Sequence, residues 1–329
     1  MKAFELHNPA ALKEAIQLLD ATDTLGHRVK LMAGGQDLLT EMKSHLAEPA
    51  TVVNLKHLPG MNHITWSDRD GLLIGALATI DALTVHPLVQ RHAPALAMAA
   101  AVVGSPQIRH IGTLGGNLCQ RPRCWYYRNE NIICLKKGGD RCYAAVGENK
   151  YHAILGGGPS YIVHPSDTAP ALIALNARVT LVSAKGARTI PLQSFYALPT
   201  VDVRKETVLR PDEILTEIHI PNAPMNAHSA YIKFREKESM DFAMSAAAAA
   251  LEMNNGVVAE CRLALGGVAP VPWRAEAAEA ALRGKRLTTA AIDIATAAAL
   301  KDAQPLEHNG YKVPLTRTIL KRAIRQAAA

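Results

Sequence analysis

At 329 residues the chain is too long for one ordinary core and predicts two or three packed units. Apolar residues make up 49% and charged residues 20%, and no apolar run approaches the roughly 20 residues that cross a bilayer, so neither a disordered nor a membrane-spanning chain is indicated. The net charge of +7 raises nucleic acid as a partner, yet the basic residues are scattered and lack the interleaved aromatics of single-strand binders; no nucleic acid is expected, and docking to an acidic protein surface explains the charge as well.

In chain order, Ala10, Leu12, Ala15, Leu18 and Leu19 fall at helical spacing and predict a helix over 9–21. Residues 29–32 then predict a short strand running into Ala33-Gly34-Gly35-Gln36-Asp37-Leu38-Leu39, a strand, glycine turn and helix start. Backbone N–H groups at such a start favour an anion, although many tight turns bind nothing. Strands are predicted over 51–55 and 64–77, with Asp68-Arg69-Asp70-Gly71 as a hairpin turn, and Asp81 as the cap of a long helical stretch ending near Val103. Beyond residue 160, a strand is predicted over 161–164. Pro165-Ser166-Asp167-Thr168 is read as a turn capping a helix over 169–175, with Asp167 as a candidate cap. A hairpin around Ala184-Lys185-Gly186 and a strand over 214–220 complete this half. The proline-bearing stretch 221–224 is the predicted domain boundary. Three strand-like runs follow between 230 and 268, the last two joined at Asn254-Asn255-Gly256; the alanine run 246–250 is read as strand from its setting before that turn. Helices over 289–303 and 315–328 close the chain. Neither a G-x-G-x-x-G nor a G-x-x-x-x-G-K-[ST] motif is present, so no Rossmann site or P-loop is expected.

The densest chemistry lies between Ile111 and Cys142. Gly112-Thr113-Leu114-Gly115-Gly116-Asn117 is a second glycine-rich turn, where N–H groups can approach a ligand that a Cβ would fend off. Cys119, Cys124, Cys134 and Cys142 follow with spacing C-x4-C-x9-C-x7-C, the ligand count of an iron–sulfur cluster or a structural zinc; free thiols are the third reading. Zinc is disfavoured by the lack of a C-x2-C knuckle. The opening Met1-Lys2-Ala3-Phe4 runs directly into mixed sequence, so a reducing, cytoplasmic compartment is expected and disulfides are set aside. Arg121, Arg123, Arg128, Lys136, Lys137 and Arg141 outnumber Glu130 and Asp140, which suits a net-negative cluster or simply a solvated basic loop. Cys261, within an alternating apolar run, is read as a buried small side chain.

With AGGQDLL at 33–39, IRHIGTLGGN at 108–117 and HPSDTAPAL at 164–172, the chain resembles the FAD-binding medium subunit of the molybdenum hydroxylases, the relatives of xanthine dehydrogenase, carbon monoxide dehydrogenase and aldehyde oxidoreductase. The resemblance implies an α+β fold: a two-part FAD-binding module of the vanillyl-alcohol oxidase (PCMH) type over 1–222, with subdomains of about 1–56 and 57–222 and a cysteine-rich insertion at 118–155, then a small α+β C-terminal domain over 223–329. It implies that Leu31, Met32, Ala33, Gly34, Gly35, Gln36, Asp37 and Leu38 wrap the FAD pyrophosphate. Thr113, Leu114, Gly115, Gly116 and Asn117 would lie along the pyrophosphate and ribityl chain, with Val103 nearby. Asp167 would hydrogen-bond the cofactor, Leu215 would pack by the flavin, and Lys233 would stand near the ring. Gln36 departs from the small hydroxyl residue common in relatives.

The cysteine insertion is similar to that of 4-hydroxybenzoyl-CoA reductase and the periplasmic aldehyde oxidoreductases. This implies an extra [4Fe–4S] cluster on Cys119, Cys124, Cys134 and Cys142, shielded by Trp125, Tyr126 and Tyr127. In some relatives the last cysteine falls further along, where this chain has Tyr151 and Ser160. The expected function is that of an oxidoreductase subunit. It would take electrons from a molybdenum-cofactor-binding large subunit and a [2Fe–2S] small subunit through FAD to an external acceptor, in a heterotrimer or dimer of heterotrimers. It would be cytoplasmic, or periplasmic if carried out with a partner subunit. No residue here is expected to act as acid or base on the substrate. The rivals are a free-standing flavin oxidoreductase with its own substrate and a zinc-bearing interaction protein.

Overall fold

The computed structural model describes residues 1–19, 28–222 and 227–329. The N-terminal part is a parallel sheet of β1 (Glu5–His7), β2 (Val29–Met32) and β3 (Thr51–Asn54) in the order β1-β3-β2. Parallel neighbours need crossovers, and the helices Leu12–Leu19 and Leu38–Lys43 lie in them. Ala15, Ile16 and Leu19 bury one helical face against Val29 and Val53.

A second, antiparallel sheet takes the order β4-β5-β8-β6-β7, from β4 (Ile64–Ser67), β5 (Gly71–Gly75), β6 (Arg178–Ser183), β7 (Gly186–Pro191) and β8 (Ile214–Ile220). Gly71 closes the first hairpin at φ 77°, and a Cβ there would overlap the Ile220 carbonyl oxygen. The long helix expected after Asp81 is broken into Ile80–Val85, Pro87–His92 and Pro94–Ala101, because each proline lacks the N–H to continue a helix and starts a new one. Thr79, not Asp81, caps the first: its Oγ1 accepts from Ala82 N at 3.1 Å, while Asp81 pairs with His110 at 3.1 Å. Residues 161–164 are extended but form no strand; Tyr161 O accepts from Ala153 N and His164 N donates to Ala269 O.

The third sheet runs β12-β11-β10-β9, from β9 (Ala227–Phe234), β10 (Ser245–Asn254), β11 (Val257–Gly266) and β12 (Trp273–Arg274). Asn255 (φ 50°) and Gly256 (φ 77°) make the tight turn between β10 and β11. The alanine run is strand because β9 and β11 pair with it on both sides, so ladder bonds outweigh helix propensity. Its small side chains let the helices Thr168–Ala174 and Lys312–Ala328 pack closely on it. The helix Glu276–Leu282 was not anticipated; Thr289–Ala298 was, as the first part of a longer helix. Two buried clusters result. One joins the first two sheets with their helices, and the other joins the third sheet to its helices and takes in Ile154 and Leu155. The boundary stretch 221–224 falls partly outside the described residues. Among the described residues no helix is long and apolar enough to cross a membrane.

Candidate functional site

The two glycine turns touch. A Cβ on Gly34 would overlap the Ile111 carbonyl oxygen, and Gly35 sits at φ 71°, so the first turn is glycine-bound by packing as well as by backbone angle. Within the described chain the N–H groups of Gly34, Gly35, Gln36 and Asp37 donate to nothing, which leaves an anion-binding edge at the end of β2. The second turn behaves otherwise: Leu114 N donates to Ala78 O, Gly115 N to Ala76 O, Gly116 N to Thr113 Oγ1 and Asn117 N to Thr113 O. It contributes shape. A Cβ on Gly115 would crowd Ala76 at 2.9 Å and touch Leu215 at 3.4 Å, whereas a Cβ on Gly116 would meet only Thr113 Oγ1 at 3.0 Å, which leaves its other side open.

Side chains fasten these turns to the wall of a cavity of about 530 Å³. Asn117 Oδ1 accepts from Ser166 Oγ at 2.6 Å and Thr168 Oγ1 at 2.7 Å, and Ser166 also caps the following helix through Ala169 N. Asp167 is therefore free of the capping role foreseen for it. Its oxygens accept from Tyr231 Oη at 2.9 Å and Lys233 Nζ at 2.8 Å, and Lys233 also donates to Val102 O, next to Val103. Burial pushes the Asp167 carboxyl up, and Lys233 and Tyr231 oppose the shift. His164, Ser166 and Asp167 line the cavity; so do Arg123, Phe242 and Met244. Burial, with Arg123 nearby, pushes the His164 imidazole down to about 3. His164 Nδ1 accepts from Ser166 N, and a backbone hydrogen bond to Leu118 partly offsets the effect of burial.

The basic surplus of the cysteine segment is neutralised from elsewhere. Asp37, just after the first glycine turn, accepts from Arg121 N (2.6 Å), Arg123 Nη1 (2.6 Å) and Arg128 Nη2 (2.8 Å). Buried Glu206 pairs with Arg121 and Lys136, both at 2.6 Å, and Glu41 accepts from Tyr127 Oη at 2.8 Å. These partners, more than sixty residues away in sequence, could not be read from the segment's composition. Gln36 is exposed.

Cys124, Cys134 and Cys142 line one small void with Tyr126 and Tyr127, and Cys119 does not. Cys119 follows the helix Leu114–Leu118 and packs, half-buried, against the first core near Tyr196, where desolvation pushes its thiol up to about 12. Cys124 Sγ lies 3.2 Å from His152 Nε2 and accepts from the N–H groups of Tyr126 and Tyr127; Cys124 and His152 also line the large cavity. Among the described residues no three His, Cys, Asp or Glu side chains are grouped to hold a single metal ion. Trp125 is 39% exposed, its ring edge-on to Tyr151 and His152. Cys261 is buried, as expected, with Sγ against Glu279 O.

Unpaired N–H groups at a strand-to-helix turn, a second glycine turn pressed on the first and an adjoining cavity with a buried carboxylate define a nucleotide-cofactor-binding domain. Residues 2–223 match the family model of the FAD binding domain in molybdopterin dehydrogenase, and residues 229–327 that of the CO dehydrogenase flavoprotein C-terminal domain. The chain belongs to the FAD-binding medium subunits of the molybdenum hydroxylase family, and is an oxidoreductase subunit. It is 35% identical over 303 residues to the aldehyde oxidoreductase FAD-binding subunit PaoB of Escherichia coli, which covers 91% of this chain and 92% of that one. It is 29% identical to the carbon monoxide dehydrogenase medium chain of Hydrogenophaga pseudoflava, over 99% of this chain and 97% of the other. The carbon monoxide dehydrogenase structure from that organism superposes with a TM-score of 0.78 at 29% identity, covering 99% and 98% of the two chains. Quinoline 2-oxidoreductase from Pseudomonas putida gives 0.75 at 25% identity, over 100% and 98%. The mixed fold of an FAD-binding domain and a flavoprotein C-terminal domain is thus as expected. The residues fit FAD: the unpaired N–H row suits a pyrophosphate, and His164, Ser166 and Asp167 line a cavity of ligand size beside it.

Proposed function

We propose that this chain is the FAD-containing electron-transfer subunit of a multi-subunit molybdenum hydroxylase. It takes electrons from a molybdenum-cofactor-binding large subunit and a [2Fe–2S] small subunit, and passes them to an external acceptor. The N–H row from Gly34 to Asp37 holds the pyrophosphate, Gly116 and Asn117 give the chain beyond it room, and Asp167 with Lys233 supplies a hydrogen-bonding pair near the ring. When bound, FAD accepts electrons singly and releases them as a pair. The single observation that carries the reading is the hydrogen-bonded continuity from both glycine turns to one cavity wall, through Asn117–Ser166 and Asp37–Arg123. Relatives named as medium chains and FAD-binding subunits support the multi-subunit setting. The two units divide near 222, with FAD held mainly by the first.

The same chain carries an additional [4Fe–4S] cluster in the cysteine segment. Three of the four thiols, Cys124, Cys134 and Cys142, line one small void, and the lack of a C-x2-C knuckle disfavours zinc; these two observations support the reading. Protein purified without oxygen is expected to contain FAD and iron. Alanine at Cys134 or Cys142 should abolish the broad iron–sulfur absorption while FAD remains. Zinc at one per chain with no iron would overturn the cluster, and absence of flavin would overturn the whole reading.

A further inference from the structure

Lys312, the first residue of the helix Lys312–Ala328, is 0% exposed. Its Nζ donates to Tyr151 O and Gly267 O, both at 2.7 Å, and among the described residues no carboxylate pairs with it. An ammonium buried without a counter-charge is costly, and burial pushes this one down to about 7. Both carbonyls belong to residues that line the large cavity, Tyr151 from the segment 2–223 and Gly267 from 229–327. The charge is felt at the cavity wall: His152, another lining residue, is pushed down to about 4 by burial and by Lys312. The neighbouring charges are paired elsewhere. Lys233 is held by Asp167, Lys150 and the Tyr151 hydroxyl by Glu236, and Lys321, further along the same helix, by Asp293, while the Tyr311 hydroxyl donates to Lys150 O.

We propose that Lys312 is a positioning residue for charge: through the Tyr151 and Gly267 carbonyls it holds the cavity at positive potential and favours the reduced over the oxidised flavin. The assignment rests on the FAD reading above. Taking up two electrons and one proton leaves one negative charge on a flavin, so a fixed cation behind the wall makes the ring easier to reduce. The contribution is present while the ammonium is charged, below about pH 7, and is lost above it, because the neutral amine keeps its hydrogen bonds but not its field.

The test is a spectroscopic redox titration of the flavin in the FAD-loaded full-length chain, beside free FAD, at about pH 6 and about pH 9. Lys312→Gln keeps a hydrogen-bond donor without the charge, and Lys312→Met removes both; flavin content serves as the control for folding. Both variants are expected to lower the flavin midpoint potential at the lower pH and to match the parent at the higher one. Should neither retain flavin, the parent decides alone: its potential should fall further between the two pH values than that of free FAD. An unchanged potential in flavin-loaded variants at the lower pH, an equal shift at both pH values, or, failing the variants, a parent slope no steeper than that of free FAD overturns the assignment and leaves the FAD reading standing. A parent protein without flavin overturns both.

Discussion

Asp167 is 5% exposed, with one oxygen on Tyr231 and the other on Lys233. Removing the cation strands a buried carboxylate, a change that typically costs about 3–5 kcal/mol. Lys233→Met should therefore lower the urea midpoint strongly, and adding Asp167→Asn should recover part of the loss; additive losses in the double variant would show that the pair is not coupled. His164 gives a pH signature. The folded imidazole titrates near 3 against an ordinary 6.5, so between these values the unfolded chain binds a proton that the native chain does not. Its contribution is fully present above about pH 6.5 and falls toward pH 3, at most about 1.4 kcal/mol per pH unit. Urea midpoints measured from pH 4 to 7 should slope less steeply in His164→Gln; an unchanged slope would mean that another group governs this range.

At the scale of elements, the glycine turns separate folding from binding. Gly34→Ala drives a methyl into the backbone at Ile111 and should lower both stability and flavin content. At Gly116 a Cβ would meet only Thr113, so Gly116→Val should lose flavin while the apoprotein melts near the parent. Flavin near the parent level in a folded Gly116→Val would contradict the cofactor placement. Much of this was legible in the sequence: the first glycine turn between strand and helix, the Asn255-Gly256 hairpin and the paired alanine strand all follow from local pattern. What was not legible is long-range. Spacing counted four cysteines but could not tell that Cys119 packs against the first core away from the void that the other three line, nor that the second turn's N–H groups are taken by Ala76, Ala78 and Thr113. The partners of Arg121, Arg123 and Lys136 come from Asp37 and Glu206, beyond the reach of any local pattern.

For the whole molecule, the cavity wall draws on both family-matched segments: Ser166 and Asp167 come from residues 2–223, and Phe242, Met244 and Gly267 from residues 229–327. The two readings differ in what the isolated chain does: an electron-transfer subunit has no substrate of its own, and a free-standing oxidoreductase has one. The direct measurement is the visible flavin absorbance of the isolated, FAD-loaded chain mixed anaerobically with aldehydes or N-heterocycles, beside the same chain co-expressed with a molybdenum-binding and a [2Fe–2S] subunit. The flavin should stay oxidised in the isolated chain and bleach in the complex. Bleaching in the isolated chain by either substrate class would contradict the assignment.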